Sequence, residues 1–265
     1  MSQNGDLHWY RNWNSSRPGG STSWEGPKLV RTGMGGFTSV FSGGGAAIYG
    51  VQPDGVLMWY GHDGAEDGSP RWRGPRVVGN GWNSFKSIFS GGEYVVYGIL
   101  PNGDLLWYRH HDAPSGGTNW PSAVKVGWGF ADMAKVFSGG YGIIYAIRKD
   151  GVLLRYKHLG YLTGTFDWEQ GKEIGTGWGG FQEVVASGDG VLYAFTHDGK
   201  ILWYRYGERK PPTGGTPWVG GSTSLTGGHM HMLTGPFWEG PVEIRHFPGF
   251  RNVFALMDMP GHAVN

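Results

Sequence analysis

The run from Val40 to Tyr60, VFSGGGAAIYGVQPDGVLMWY, limits the fold more than any other stretch, because it returns three times at a constant distance. Its copies are Ile88 to Tyr108, Val136 to Tyr156 and Val184 to Tyr204, so the closing tyrosines fall 48 residues apart at 60, 108, 156 and 204. Each copy divides into short apolar or alternating pieces. In the first they are Val40-Phe41, Ala46 to Val51 and Val56 to Tyr60, separated by Gly43-Gly44-Gly45 and by Pro53-Asp54-Gly55. An Asp-Gly or Asn-Gly pair between β-branched and aromatic runs supplies the positive φ angles of a tight hairpin. The pair recurs as Asn102-Gly103, Asp150-Gly151 and Asp198-Gly199, so each copy is predicted to be a β-meander.

A tryptophan keeps the same period, at Trp24, Trp72, Trp120 and Trp168, and opens a fourth β-like piece. A repeat of this length built from four strands reads as a propeller blade, since one such sheet cannot bury both its faces alone. The chain ends fix the expected count. Residues 4 to 10 (NGDLHWY) are a turn and third strand with nothing upstream to pair with, while Phe250 to Asn265 begins a unit and stops before its turn. The expectation is therefore an all-β chain: a five-bladed β-propeller of four-stranded antiparallel blades, with the last blade closed by both chain termini. Closure of this kind limits exposed sheet edges. One domain is expected over residues 1–265. The 51 Gly and 15 Pro, with only 16% charged residues, agree with a turn-rich chain lacking long helices.

Several function classes drop out. With 22 Lys+Arg against 21 Asp+Glu and no run of either sign, nucleic acid and acidic membranes are not expected partners. No apolar stretch approaches 18 residues and no basic-then-apolar start occurs, so neither a membrane span nor a signal peptide is expected. That reading fits a soluble protein of the cytoplasm or one released without a leader. The absence of Cys removes disulfides, thiolate chemistry and Cys-based zinc sites. No nucleophile elbow, phosphate loop or dinucleotide fingerprint occurs, and no catalytic set, metal site or cofactor is implied.

Two rings of repeated side chains are candidates for function. The turn before each inner strand carries Met34, Trp82, Phe130, Trp178 or Phe247. Such residues either wedge the blades apart as core or stack against sugar rings through their faces. Two residues after each repeat Tyr come Asn12, His62, His110, His158 and Tyr206, read as strand-end residues beside loops rather than metal ligands. Arg11, Arg109, Lys157 and Arg205 precede them and read as a solvated blade face.

The order Trp-x-x-x-x-x-Val/Ile-Gly-x-Gly-Trp-x-x-Phe followed by a run like Val-Phe-Ser-Gly-Gly, clearest in Trp72 to Gly92 (with Ile88 for the Val) and Trp168 to Gly188 (with Val185-Ala186 for the Phe), resembles the tachylectin family of five-bladed propeller lectins. The resemblance implies binding of glycans or glycoconjugates carrying N-acetylated hexosamines such as N-acetylglucosamine, at repeated pockets between adjacent blades. In that family the blade Trp follows a polar pair. Asn119 before Trp120 and Asp167 before Trp168 fit this pattern, Ser23 before Trp24 is a weaker substitute, and Arg71 before Trp72 and Phe237 depart from it. Fewer than five good pockets are expected, built on Asn119 with Trp120 and Asp167 with Trp168, with Trp82 and Trp178 as apolar walls and Trp72 and Trp24 at the remaining positions.

The last unit breaks the symmetry. From Trp168 the next equivalent is Trp238, 70 residues on rather than 48, which places a 22-residue insertion around Pro217 to Phe237. It contains His229 and His231, and His246, His262 and Asp258 lie in the same unit, at spacings that match no standard zinc motif. The alternative to a multivalent, non-catalytic lectin is a small-molecule enzyme or binding protein with one site in this unit, covered by the insertion.

Overall fold

A computed structural model describes residues 1–207, 237–246 and 253–255. The insertion, apart from Phe237, lies outside the described residues, as do His229, His231, Asp258 and His262. The chain is an all-β propeller. Four antiparallel sheets have four strands each: β3 (Ser39–Gly44) to β6 (Trp72–Gly79) through β4 (Ala47–Val51) and β5 (Leu57–His62); β7 (Ser87–Gly92), β8 (Val95–Ile99), β9 (Leu105–Arg109) and β10 (Val124–Gly127); β11 (Met133–Gly140), β12 (Ile143–Arg148), β13 (Leu153–His158) and β14 (Trp168–Gly175); and β15 (Glu183–Ala186), β16 (Val191–Phe195), β17 (Lys200–Gly207) and β18 (Phe237–His246). A two-stranded sheet of β1 (Leu7–Asn12) and β2 (Trp24–Arg31) lies at the N-terminal end. These four blades are designated first to fourth in chain order.

The sequence repeat becomes a repeat of register. Tyr49 pairs with Trp59, Tyr97 with Trp107, Tyr145 with Arg155 and Tyr193 with Trp203, so residues 48 apart occupy equivalent ladder rungs in all four blades. The hairpin turns are wider than a two-residue loop. Only the glycine has positive φ (91° at Gly55, 88° at Gly103), and the preceding Asp or Asn turns its side-chain oxygen back to a backbone N–H two residues on, as Asp54 does to Val56. The acidic residue thus acts as a side-chain acceptor in the turn rather than as a second left-handed residue.

Hydrophobic cores lie between sheets rather than within them. One cluster joins Tyr49, Leu57 and Trp59 of the first blade to Val96 of the second, another joins Tyr97 and Leu105 to Ile144, and a third joins Tyr145 and Leu153 to Leu192. The same logic continues through the two-stranded sheet. Trp24 packs on Tyr193 and Trp203 of the fourth blade, while Leu7, Trp9 and Val30 pack with Val40 and Ile48 of the first. The sheet therefore bridges last blade to first. It has two strands among the described residues, not the expected four. Val253 and Phe254 pack into the two flanking clusters and form no ladder among the described residues.

The second blade also differs from its neighbours. β10 starts at Val124, four residues after Trp120, whereas β6 and β14 begin at their Trp. Pro121 follows Trp120 directly and has no N–H to give the ladder, while the other prolines sit three residues after the Trp, at Pro27, Pro75 and Pro241.

Loops clamp neighbouring sheets together. The indole N–H groups of Trp9, Trp107 and Trp203 donate to the carbonyls of Ala65, Tyr161 and Ser15 at 2.7, 2.7 and 2.8 Å. Arg11, Arg109 and Arg205 donate to Glu66, Leu162 and Ser16 carbonyls of the same loops. These arginines are inter-blade ties rather than a merely solvated face. Loop glycines lie flat on the same tryptophans. A Cβ on Gly164 would stand 2.6 Å from the Trp107 ring, at a residue with φ of 74°. Gly164→Ala is expected to cost more than the roughly 1–2 kcal/mol of a left-handed alanine, because the loop must also lift off the indole. Chemical denaturation checks this, and a midpoint equal to that of the parent protein refutes it.

Candidate functional site

The repeat tryptophans stand at the junctions between sheets. Trp72, Trp168 and Trp238 donate their indole N–H to the carbonyls of Val30, Val126 and Ile174, each on the last strand of the preceding sheet. That strand then runs into the Gly-x-Gly-aromatic turn. At Trp72 and Trp168 this sets the loop ahead of the repeat Trp beside the turn of its neighbour, whereas the buried indole N–H groups of Trp24 and Trp120 have no hydrogen-bond partner among the described residues. In these turns Gly33, Gly81, Gly129 and Gly177 hold φ between 78° and 88°, and an added Cβ would meet nothing within 4 Å. Positive φ requires glycine there, and the open side leaves the backbone accessible to a ligand.

The repeat Trp has a partner that sequence reasoning missed. His62, His110 and His158 stack on Trp72, Trp120 and Trp168 with ring centroids 4.1, 4.2 and 4.3 Å apart and interplanar angles of 10°, 11° and 13°. The constant ten-residue His-to-Trp spacing was the available signal. These histidines are 0 to 1% exposed. Their Nε2 atoms lie 2.8–3.0 Å from the carbonyls of Ser69, Gly117 and Thr165, and Nδ1 of His110 and His158 lies 2.6 Å from the hydroxyls of Tyr49 and Tyr97 in the preceding blade. The bonding set assigns the tautomer: Nε2–H donates to the carbonyl and Nδ1 accepts the phenol proton. Burial pushes each imidazole below its ordinary pKa, with the carbonyl contact opposing in part. The histidines hold the Trp platform and the loop in place.

The predicted site residues divide into two layers. Trp82 and Trp178 are only 6% and 5% exposed. Each sits inside the wedge between blades, with Trp82 5.3 Å from Trp120 and Trp178 5.2 Å from Trp238 by ring centroid. Trp24, Trp72, Trp120 and Trp168 are half-buried, and the side chains of Asn119 and Asp167 beside them are exposed. The carbonyls of these two polar residues accept from His111 and Leu159 and so close their loops. The junctions are not equivalent. The Arg31 guanidinium lies over Trp72 at 5.2 Å and that of Arg245 over Trp24 at 5.8 Å, whereas Trp120 and Trp168 follow turns with glycine, Gly79 and Gly127, at the Arg31 position.

The family model described as Tachylectin matches residues 1–131 and again 115–235. The chain belongs to the tachylectin family. The two matches overlap by part of a repeat, as expected for a model sliding along a periodic member of the family. No curated protein matches the chain. Solved structures similar to this tachylectin-family chain include the symmetrical protein of a study on de novo evolutionary emergence shaped by folding constraints, at 20% identity and a TM-score of 0.48, covering 76% of this chain and 83% of that one. Prp20p from Saccharomyces cerevisiae (14% identity, TM-score 0.37, 69% and 48% covered) and human WBSCR16 (14%, 0.34, 65% and 48%) are further matches. No helix among the described residues of this family member is long and apolar enough to cross a membrane.

Proposed function

We propose that this chain is a carbohydrate-binding propeller that takes N-acetylated hexosamines at repeated junctions between blades and performs no catalysis. The observation that carries the reading is the recurrence of one junction geometry at Trp72, Trp120 and Trp168, an indole stacked on a buried histidine with an exposed polar residue before it, in a chain of the tachylectin family. A pyranose presents a C–H face to an aromatic ring and hydroxyls to polar groups around it, which such a junction supplies. Asn119 with Trp120 and Asp167 with Trp168 form the two full sites, and Trp82 backs Trp120 from within the wedge, as Trp178 backs Trp238. Arg31 and Arg245 occupy space over Trp72 and Trp24, which leaves those positions poorer. In this reading the two-stranded sheet belongs to the fifth blade of a single domain, with Val253 and Phe254 packed into the clusters on its two sides.

Single shallow sites bind weakly, and repetition raises avidity on a glycan-bearing surface by about 10²–10⁴. Native mass spectrometry against N-acetylglucosamine is expected to count more than one sugar per chain, and Asp167→Ala to remove one class of site while leaving the denaturation midpoint within about 0.5 kcal/mol of the parent. Unchanged stoichiometry and affinity in that variant would overturn the assignment.

A second reading has its own observation. A cavity of about 330 Å³ runs where the inner strands of the four blades meet, lined by Ser42, Ser90, Ser138 and Glu183 and by Val253 to Ala255. Its volume suits one small molecule. One ligand per chain, lost when residues 217–237 are deleted, is the result that would favour it.

A further inference from the structure

One junction differs from the rest in a way the repeat does not require. Trp128, in the turn after β10, and Phe166, in the loop before β14, stack face to face with centroids 5.4 Å apart and an interplanar angle of 4°. They are nonetheless 66% and 60% exposed. The equivalents of Trp128 in the other turns are Thr32, Asn80 and Thr176, and those of Phe166 in the neighbouring loops are Pro70 and Thr118. Aromatic residues have thus replaced small or polar ones on both sides of a single junction. The propeller's packing does not call for this, since the sister junctions close without them. Phe166 is followed by Asp167 and Trp168, so the pair adjoins one of the two full sites described above.

We propose that Trp128 and Phe166 form an extension subsite that takes the second pyranose of an oligosaccharide whose hexosamine occupies the Asp167–Trp168 junction. This rests on the lectin reading and deepens it. The two rings are already parallel and braced against each other, so little side-chain freedom is lost when a sugar packs on an outer face. The outer faces of these two exposed rings are flat and apolar. A pyranose C–H face meets these requirements and is continuous with the neighbouring site. The subsite therefore makes this junction selective for chain length, whereas the Asn119–Trp120 junction recognises the single sugar.

The test compares N-acetylglucosamine with its β1,4-linked disaccharide by calorimetry and by the indole N–H resonance of Trp128. The disaccharide is expected to bind one site per chain roughly five- to tenfold more tightly than the monosaccharide, and to shift the Trp128 resonance. The double variant Trp128→Thr and Phe166→Thr carries residues of the kind the sister junctions tolerate. It should lose that gain and keep monosaccharide binding. Monosaccharide binding with no disaccharide gain, or a gain that survives in the variant, overturns the subsite and leaves the lectin reading standing. Failure of both sugars to bind the parent protein overturns both. Sugar-free self-association that the double variant abolishes assigns the pair to contact between copies and overturns the subsite. The resonance shift in the parent protein decides the question if the variant does not fold.

Discussion

Replacing Trp82 by alanine is expected to lower stability by about 3–5 kcal/mol, the range for removing a large aromatic side chain from a packed interior. The indole touches Phe85, Tyr108 and Trp120, all within 5.6 Å by centroid, and so joins the turn leaving the first blade to β9 of the second and to the segment ahead of β10. Its loss opens a void where no single residue can collapse, because each neighbour is held in its own ladder or loop. Trp128→Ala is the matched control: the same deletion at a position two-thirds exposed is expected to move the midpoint by no more than about 0.5 kcal/mol. Urea denaturation of the two variants checks the contrast. Equal midpoints would mean that Trp82 is not part of the wedge and that its low exposure carries little packing.

The same pair marks how far the sequence could be read. Both are tryptophans in a turn of the repeat, and composition offers no means of telling the buried one from the exposed one. What separates them is phase. Trp82 recurs in kind at Phe130, Trp178 and Met34, as a position under a common packing demand must, whereas Trp128 stands where the other turns have Thr or Asn. Strand order, register and the Trp period were legible for a related reason: a 48-residue recurrence preserves whatever each blade needs to stack on the next. Side-chain roles were not. Arg11 and Arg109 alternate outward as a solvated face would, yet their hydrogen bonds run to loops more than fifty residues away. Likewise, the ten-residue spacing from His62, His110 and His158 to a repeat Trp is visible in the sequence, but not that each imidazole stacks on that ring. Closure of the ring by the termini was argued from two half-units. The bridging sheet answers to one of them, and most of the other lies outside the described residues.

Acid is expected to destabilise the propeller below about pH 6.5, well before its carboxylates protonate. His62, His110 and His158 are buried with their pKa values lowered, chiefly by desolvation. The sign follows from proton counting. Below about 6.5 the unfolded chain takes up protons at these three rings while the folded chain still excludes them, so the unfolded state binds more protons and stability falls with falling pH. The contribution is complete above the unfolded value and is lost as pH drops through the lowered folded values. Geometry gives the same direction for His110 and His158. Protonation puts a hydrogen on Nδ1, which now accepts from the hydroxyl of Tyr49 or Tyr97, so that buried phenol loses its acceptor. The exposed aspartates with lowered pKa values, Asp67, Asp104, Asp132, Asp150 and Asp198, act only below the ordinary carboxylate range of about 4 and leave the window between free for the histidines. Urea midpoints at pH 7.5, 6.5 and 5.5 should therefore descend, while the ring resonances of the three histidines in the folded protein titrate below the ordinary histidine value of about 6.5. Rings that titrate near 6.5 in the folded state, with a flat stability profile, would break the link. Because the folded rings stay neutral while the unfolded chain takes up protons, sugar affinity at Trp120 and Trp168 should hold through the first part of this descent and fall only where the lowered folded values are crossed and the imidazole behind each Trp becomes charged.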